Sequence, residues 1–336
     1  TVMLRICIVR MLLYRCMVIM IPTSCLALST PDLAIASRDI PSIGSLDYRC
    51  TETLLSMGII PSAVIDPDTP YSTLEGAAQA INLGTIIQPN LELLDQVSPE
   101  LVLTSPEFTY MVPRLSGIAK VKSLAPYSSE SGASSWQRMI SFTRRVGEAI
   151  GSTDLAEDMI KETESHFQSL RSRIAGDHMP ALLIVRLMDH KHARVFGSNS
   201  LFQGSLEQLG LSNAWQGPES HFGITMVSID SLVDINARLV ILESPYSTNP
   251  SREQFAANGM WQHLPIIKRG DVIFLPAAFN HFGALPSALG FAESLVNALA
   301  ADEVGEQISS SCVANDSLAS QQECDDGNEG RLHSAW

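Results

Sequence analysis

Charged residues, basic ones above all, and catalytic signatures are scarce in this sequence. Charged side chains make up 17% of the 336 residues, with 22 lysines and arginines against 36 aspartates and glutamates. The resulting net charge of −14 argues against nucleic acid or an anionic membrane surface as a partner. The G-x-S-x-G elbow, the Walker phosphate loop and the H-E-x-x-H helix are also missing, so hydrolase and nucleotide-binding functions lack their usual signals. We therefore expect a protein that is not an enzyme.

Cysteine spacing gives no support to a zinc site. The six cysteines include neither a C-x-x-C pair nor a Cys/His spacing of the zinc type. Cys312 and Cys324 are near enough in sequence to form a short disulfide in an oxidising compartment. Cys50 would then be a single thiol, which we expect to be buried. The other three cysteines lie in the first 25 residues.

Residues 1–36 predict a secretory signal peptide. Arginines punctuate an apolar stretch that ends in MVIMIPTSCLALS (17–29), and AIA (34–36) fits the A-x-A cleavage pattern. A lipid anchor at Cys25 is the alternative, although Pro22 stands where a lipobox usually has leucine. A retained membrane span is disfavoured because arginines interrupt the apolar run. The sequence therefore predicts export.

Strand and helix patterns alternate along the rest of the chain. The stretch 38–66 predicts a short strand, a helix that ends near Gly58 and a second strand. The stretch 82–107 predicts a turn, a helix from Asn90 to Gln96 and the buried strand LVLTS. The second half predicts further strands and helices, at 181–188, 200–210, 237–244, 270–277 and 287–300. Such alternation is typical of parallel sheets that are covered by helices on both faces.

One long amphipathic helix is predicted between the two halves, over residues 153–176. Its apolar residues recur at three- and four-residue steps, Ser152 or Thr153 can cap its start, and Gly176 its end. We therefore predict an α/β fold with an N-terminal lobe at 37–152 and a C-terminal lobe at 177–300. Residues 301–336 lose the periodicity, turn acidic and predict a flexible tail.

Several segments resemble the periplasmic binding proteins for iron(III)-hydroxamate siderophores, over about residues 38–300. They are PNLELL (89–94), PELVLTS (99–105), VFGSNSLFQ (195–203), NAWQG (213–217), VSID (227–230) and WQHLPIIKRGDVIFLPA (261–277). The resemblance implies a class III periplasmic binding protein: two lobes with mainly parallel sheets, joined by a single backbone helix, that close little. It implies a monomer that captures a ferric siderophore in the cleft and delivers it to an inner-membrane ABC permease. Iron would be bound only through the siderophore.

The same resemblance indicates where a ligand would bind. The family combines aromatic walls with an arginine and a tyrosine that contact the hydroxamate oxygens. Ile86 stands at the arginine position and Phe108 at the tyrosine position, so both polar anchors are lost. Phe222 and Phe279 match wall tryptophans, and His281 and Phe282 lie beside Phe279. The stretch RVFGSNSLFQGSLEQLGLSNAWQG (194–217) is then mainly a scaffold for Phe222, with Trp215 in the core.

Other side chains are candidates to replace the lost anchors. Arg186 lies inside an apolar strand, where its charge either faces a cavity or forms a salt bridge with Asp189 or Glu243. Tyr110 is a second candidate donor. Two tyrosines in predicted loops could also reach the cleft, Tyr48 and Tyr71.

Acidic residues at two positions are candidates to contact the permease. Asp230 matches the second-lobe acid of the family, and it also suits a helix N-cap before SLVDI. The first-lobe position falls on Pro113, with Glu107 nearby as a substitute.

Three alternatives stay open. The ligand is another iron chelate, such as a catecholate or haem, or the chain is a degenerate paralogue without a transport role. A transition-metal site would instead use the histidines of DHKH (189–192), His221 and His281, although no dense histidine-rich loop supports it.

Overall fold

The computed structural model describes residues 40–66, 73–126, 133–174, 179–244, 249–276 and 278–301. The predicted signal peptide, Tyr71, the predicted Cys312–Cys324 disulfide and the tail beyond residue 301 lie outside these ranges. Inside them, none of the helices combines the length and the apolar character that crossing a membrane requires.

The first lobe is built on a parallel sheet. In chain order its elements are β1 (Ile43–Ser45), α1 (Tyr48–Ser56), β2 (Ala63–Val64), β3 (Ile81–Asn82), β4 (Gly84–Thr85), β5 (Gln88–Pro89), α2 (Leu91–Val97), β6 (Leu101–Thr104), α3 (Val112–Leu115) and β7 (Lys120–Ser123). The strand order is β3-β2-β1-β6-β7, all parallel, while β4 and β5 form a separate hairpin. β1 and β6 are buried along their whole length, as expected for a sheet covered on both faces.

The second lobe is built on a mixed sheet. Its elements are β8 (Leu182–Leu187), β9 (His192–Phe196), α6 (Leu201–Leu209), β10 (Ile224–Ser228), β11 (Arg238–Leu242), α7 (Arg252–Ala257), α8 (Gly259–Gln262), α9 (Pro265–Lys268), β12 (Val272–Leu275) and α10 (285–301). The strand order is β10-β9-β8-β11-β12. β8, β11 and β12 run parallel, whereas β9 is antiparallel to both of its neighbours.

Two strands of this sheet correct the sequence interpretation. A single turn was expected to lead from the strand at 181–188 to the helix near Ser200, but β9 lies between them. The segment HFGITM was expected to be a loop, but its second half belongs to β10. Both strands are five residues long and carry polar residues, so neither shows the apolar run of a buried parallel strand.

Two helices connect the lobes in sequence, α4 (Ser135–Ile150) and α5 (Thr153–Ser172). Gly151 adopts the left-handed conformation between them, at φ 73°. The predicted amphipathic helix is present as α5, although it ends at Ser172 and the Ser152 side chain makes no capping hydrogen bond. The predicted lobe limits remain predictions.

One hydrophobic core crosses from the first sheet to the second. It joins residues of β1 and α1 with residues of α4, α5, α6, β12 and α10. The close approach of α4 to α6 depends on Gly204, since an added Cβ there would lie 2.9 Å from the Trp136 nitrogen. Cys50 is fully buried in this core as a free thiol, and burial raises its pKa. A shared core of this kind resists separation of the lobes.

Candidate functional site

The carboxyl ends of the strands in both sheets converge near the start of α1. β1 leads directly into α1, and β12 leads into the segment 276–284 before α10. Glu52 of α1 accepts hydrogen bonds from Ser287 Oγ at 2.6 Å, from Asn280 Nδ2 at 3.3 Å and from the Ala284 backbone N–H. Ligands of α/β sheets bind outside the carboxyl ends of their strands, so this junction is the candidate site.

Glu52 is a buried carboxylate at the junction. Burial raises its pKa to about 7, against the opposing effect of its three hydrogen bonds and with a smaller contribution from the negative charge of Asp47. Its carboxylate lies at the N-terminus of α10, where the helix dipole favours negative charge. It also lines a cavity of about 310 Å³ between α1, α5 and α10. Glu52 thus ties the first lobe to the last helix of the second.

The first lobe presents a neutralised charge network. Asp47 caps α1 by accepting from Arg49 N at 2.8 Å, and its carboxylate pairs with the Arg49 guanidinium at 2.5 Å. Arg49 also contacts the Glu107 carboxylate at 3.3 Å. Partial burial alone would raise the pKa of Glu107, but the charge of Arg49 and the hydrogen bonds that Glu107 receives together lower that pKa. Tyr48 does not lie in a loop as expected from the sequence, because it is the first residue of α1. It packs against Leu55 and Ala77, and burial raises its pKa.

Uncharged side chains occupy two further segments of the first lobe. Phe108 and Tyr110 lie in a 3₁₀ turn at 106–111, with their rings edge to face at 6.2 Å between centroids. Tyr110 is 67% exposed, whereas Phe108 is half-buried against the core. At the β4–β5 hairpin, Ile86 is half-buried and Ile87 is 81% exposed. The first-lobe side of the candidate site is therefore mainly apolar.

An aromatic cluster forms the second-lobe side. Half-buried Phe222 and Phe282 contact each other at 6.2 Å between ring centroids. Phe282 also contacts Phe196, which in turn contacts His281 at 5.7 Å. Phe279 matches the predicted wall position, but its ring is only 4% exposed and packs against core phenylalanines. Phe222 and Phe282 are thus the accessible members of the cluster.

Arg186 is hydrogen-bonded near the end of β8. Its Nη2 donates to Ser244 Oγ at 2.7 Å and to Asn249 Oδ1 at 3.2 Å. The salt bridges considered from the sequence do not form, because Asp189 contacts His192 at 2.9 Å and Glu243 contacts Arg252 at 3.2 Å. Only 9% of Arg186 is exposed.

Arg194 is a second arginine at the same place, and the sequence interpretation missed it. It lies directly opposite Arg186 in the β8–β9 pairing, and its guanidinium carbon lies 5.9 Å from the centre of the Phe282 ring. Desolvation lowers the pKa of Arg194. Recognising β9 as a strand antiparallel to β8 would have placed the two arginines together.

His281 lies behind the aromatic cluster as a neutral side chain. Burial, followed by the charges of Arg186 and Arg194, lowers its pKa to about 3. Within the described ranges its buried Nδ1 has no hydrogen-bond partner. Those ranges also contain no group of three His, Cys, Asp or Glu side chains that could hold a metal ion.

The segment before Phe222 is fixed by Glu219. Its carboxylate accepts hydrogen bonds from Asn199 N and Asn199 Nδ2, each at 3.2 Å, and from Ser198 Oγ. Gly197 N donates to Gly223 O at 2.8 Å, which ties the same turn to the residue after Phe222. Trp215 is partly buried against the second-lobe core. These contacts support the expected scaffold role of the stretch 194–217.

Asp230 is exposed on a 3₁₀ turn, Ile229–Leu232. The N-cap position of this turn is occupied by Ser228, so the alternative that Asp230 caps a helix is wrong. Glu107, the other predicted acidic contact, is partly neutralised by Arg49.

Comparisons with known proteins agree on one protein family. A sequence profile described as periplasmic binding protein matches residues 43–279. The iron(3+)-hydroxamate-binding protein FhuD of Escherichia coli K12 is 28% identical over 277 residues, which cover 79% of this chain and 88% of that protein.

Two solved structures share the fold. FhuD of Vibrio cholerae bound to Fe3+–Desferal has a TM-score of 0.70 and 22% identity, covering 78% of this chain and 98% of that one. The triscatecholate siderophore binding protein FeuA of Bacillus subtilis, complexed with ferri-bacillibactin, has a TM-score of 0.60 and 15% identity, covering 77% and 92%. The predicted α/β fold of a class III periplasmic binding protein is confirmed. Since the family profile spans most of the described residues, the chain belongs to the periplasmic binding protein family.

Proposed function

We propose that this chain captures an iron(III)-siderophore between its lobes, most simply one of hydroxamate type, and delivers it to an ABC permease. The observation that carries the proposal is the aromatic and cationic face formed by Phe222, Phe282 and Arg194 on the second lobe. The relatives support the ligand class, because FhuD of E. coli binds an iron(3+)-hydroxamate and FhuD of V. cholerae holds Fe3+–Desferal.

Aromatic rings and a few hydrogen-bond donors would both contribute to binding. Phe222 and Phe282 would pack against the organic part of the chelate, while Tyr110 would donate to its oxygens. Tyr48, Tyr71, Phe108, Arg186 and Phe279 remain proposed contacts or supports. The siderophore would supply all the iron ligands.

The setting of this function is also part of the proposal. The basic and apolar residues 1–36 support export to the periplasm, with lipid attachment at Cys25 as a variant. The protein would act as a monomer that docks on an inner-membrane permease, without nucleic acid and without catalysis. The similarity to FeuA keeps a catecholate chelate as the second candidate ligand.

Titration of the mature protein with ferric siderophores tests the proposal. We expect saturable quenching of tryptophan fluorescence by a ferric hydroxamate, confirmed by calorimetry, and no response to the iron-free form. Phe222→Ala should fold normally and bind at least about tenfold more weakly, because truncation removes a large apolar contact. A response to a catecholate or haem alone would replace the hydroxamate, and unchanged affinity of Phe222→Ala would remove that ring from the site.

Asp230→Ala should spare siderophore binding and impair uptake into cells. Asp230 is exposed and is not a helix cap, so its carboxylate is available to a basic permease surface. Asp158→Ala, an exposed aspartate on α5, is the matched control and should transport normally. Normal uptake by Asp230→Ala would remove this residue from the permease contact.

A further inference from the structure

Two arginines share one face of the second-lobe sheet. Arg186 and Arg194 are directly opposite partners in the antiparallel β8–β9 pair. Partners of this kind have Cβ atoms about 5 Å apart and point to the same side of the sheet, and like charges there are destabilising. The stability of the sheet therefore does not explain why two positive charges lie opposite each other at this position.

Arg194 lacks an anionic partner within the described residues. Its guanidinium makes no hydrogen bond or ion pair there, and its contact is with the ring of Phe282. The nearby carboxylates are engaged elsewhere: Asp189 with His192, Glu243 with Arg252, and Glu219 with the turn 198–199. Arg194 is half-buried, so it has lost part of its hydration without gaining a counter-charge.

The first lobe does not supply the missing charge. Among its described side chains, Tyr110 and Ile87 are exposed and uncharged and Phe108 is half-buried. Its cation Arg49 is already paired with Asp47 and Glu107. Any discrimination between siderophores of different charge would therefore come from the second lobe.

The chemistry of the cargo adds one constraint. Three deprotonated hydroxamates cancel the charge of iron(III), so the metal centre of such a complex is neutral. A negative charge must then come from a group elsewhere on the siderophore. A carboxylate is suited to this role, because its two oxygens match the planar donor fork of a guanidinium.

We propose that Arg194, reinforced by Arg186, is a specificity-determining residue that selects ferric siderophores bearing a peripheral carboxylate. This inference rests on the proposed function. It assigns to Arg194 the recognition of a charged group away from the iron, while the aromatic cluster holds the neutral part of the complex.

The test uses one ferric trihydroxamate in three charge states. A linear trihydroxamate with a terminal amine is prepared with that amine free, acetylated or succinylated, which gives a cationic, a neutral and an anionic complex around the same metal centre. We expect the wild-type protein to bind the succinylated complex about tenfold more tightly than the acetylated one, and the free amine most weakly. The preference should shrink as salt is added.

Variants test whether Arg194 causes the preference for the anionic complex. Arg194→Gln should bind the three complexes with similar affinity, because its largest loss falls on the succinylated complex, and Arg194→Lys should retain part of the order. Arg144→Gln is the control, since Arg144 is exposed and pairs with Glu157 on the α4–α5 surface. Thermal unfolding distinguishes a ligand-binding role of Arg194 from a structural one. If Arg194 is only repelled by Arg186, the melting temperature of Arg194→Gln should equal or exceed that of the wild type, whereas the loss of a structural role would lower it.

Different outcomes would contradict the charge selectivity and the proposed hydroxamate function. Binding of all three complexes with equal affinity by the wild type overturns the selectivity. The same holds if Arg194→Gln weakens all three equally or melts lower than the wild type. Failure of the wild type to bind any of them overturns the proposed hydroxamate function and the inference with it.

Discussion

Glu52→Gln is expected to become about 3 kcal/mol more stable, relative to the wild type, as the pH rises from about 4 to about 8. The carboxyl group of Glu52 is fully buried, and its pKa is raised from 4.5 to about 7. A difference of 2.5 between these two values corresponds to roughly 3 kcal/mol at about 1.4 kcal/mol per pH unit. The glutamine variant has no proton to lose there.

The direction follows from proton binding. Between pH 4.5 and about 7 the folded protein keeps a proton on Glu52 that the unfolded chain has lost. The stability that this group contributes is therefore fully present below pH 4.5 and is lost as the pH rises through about 7. The groups around it are Asp47, whose charge adds to the shift, and the donors Asn280, Ala284 and Ser287.

His281 acts in the opposite direction over part of the same range. Its pKa is lowered from 6.5 to about 3, so the stability it contributes is present above pH 6.5 and is lost as the pH falls. A pH curve of the wild type alone would mix the two effects. The difference between wild type and Glu52→Gln, measured by urea unfolding at each pH, isolates Glu52.

A matched control lies in the same cavity. Glu162 also lines it but is exposed, so the stability of Glu162→Gln should stay parallel to that of the wild type across the pH range. A difference between wild type and Glu52→Gln that does not change with pH would contradict the raised pKa of Glu52.

The strongly patterned parts of the fold could be predicted from the sequence. LVLTS forms the buried strand β6, and SLFQGSLEQLG forms α6, with Gly210 in the left-handed conformation at its end. The apolar periodicity of 153–176 predicted α5 to within a few residues at its C-terminus. In these segments local propensity and tertiary burial favour the same structure.

The rest of the site depends on contacts that sequence patterns do not show. β9 is short and mixes polar with apolar residues, so Arg194 could not be placed opposite Arg186 until the sheet was seen. Glu52 looks like an ordinary helix residue, because its hydrogen-bond partners lie 228 to 235 residues further along the chain. The family resemblance predicted that Phe222 is a site residue, but it gave no information on the exposure of Phe279.

Gly223→Ala is expected to destabilise the protein by about 3 kcal/mol or more. Gly223 has φ 70°, in the left-handed region where an alanine costs about 1 to 2 kcal/mol. An added Cβ would also lie 2.5 Å from the Asn199 carbonyl carbon and press on the Ser200 backbone nitrogen. These are main-chain atoms at the start of α6, so they cannot move aside as a flexible side chain would.

The variant Gly58→Ala distinguishes backbone strain from steric overlap as the cause of the destabilisation. Gly58 has φ 75°, but an added Cβ there meets nothing within 4 Å, so this variant carries the backbone strain without the overlap. Urea unfolding of both variants should show a cost at Gly58 of about 1 to 2 kcal/mol and a clearly larger one at Gly223. Equal costs would mean that the turn at 197–200 yields easily. Phe222 would then stand on a mobile segment, and the second-lobe face would not be pre-organised for its ligand.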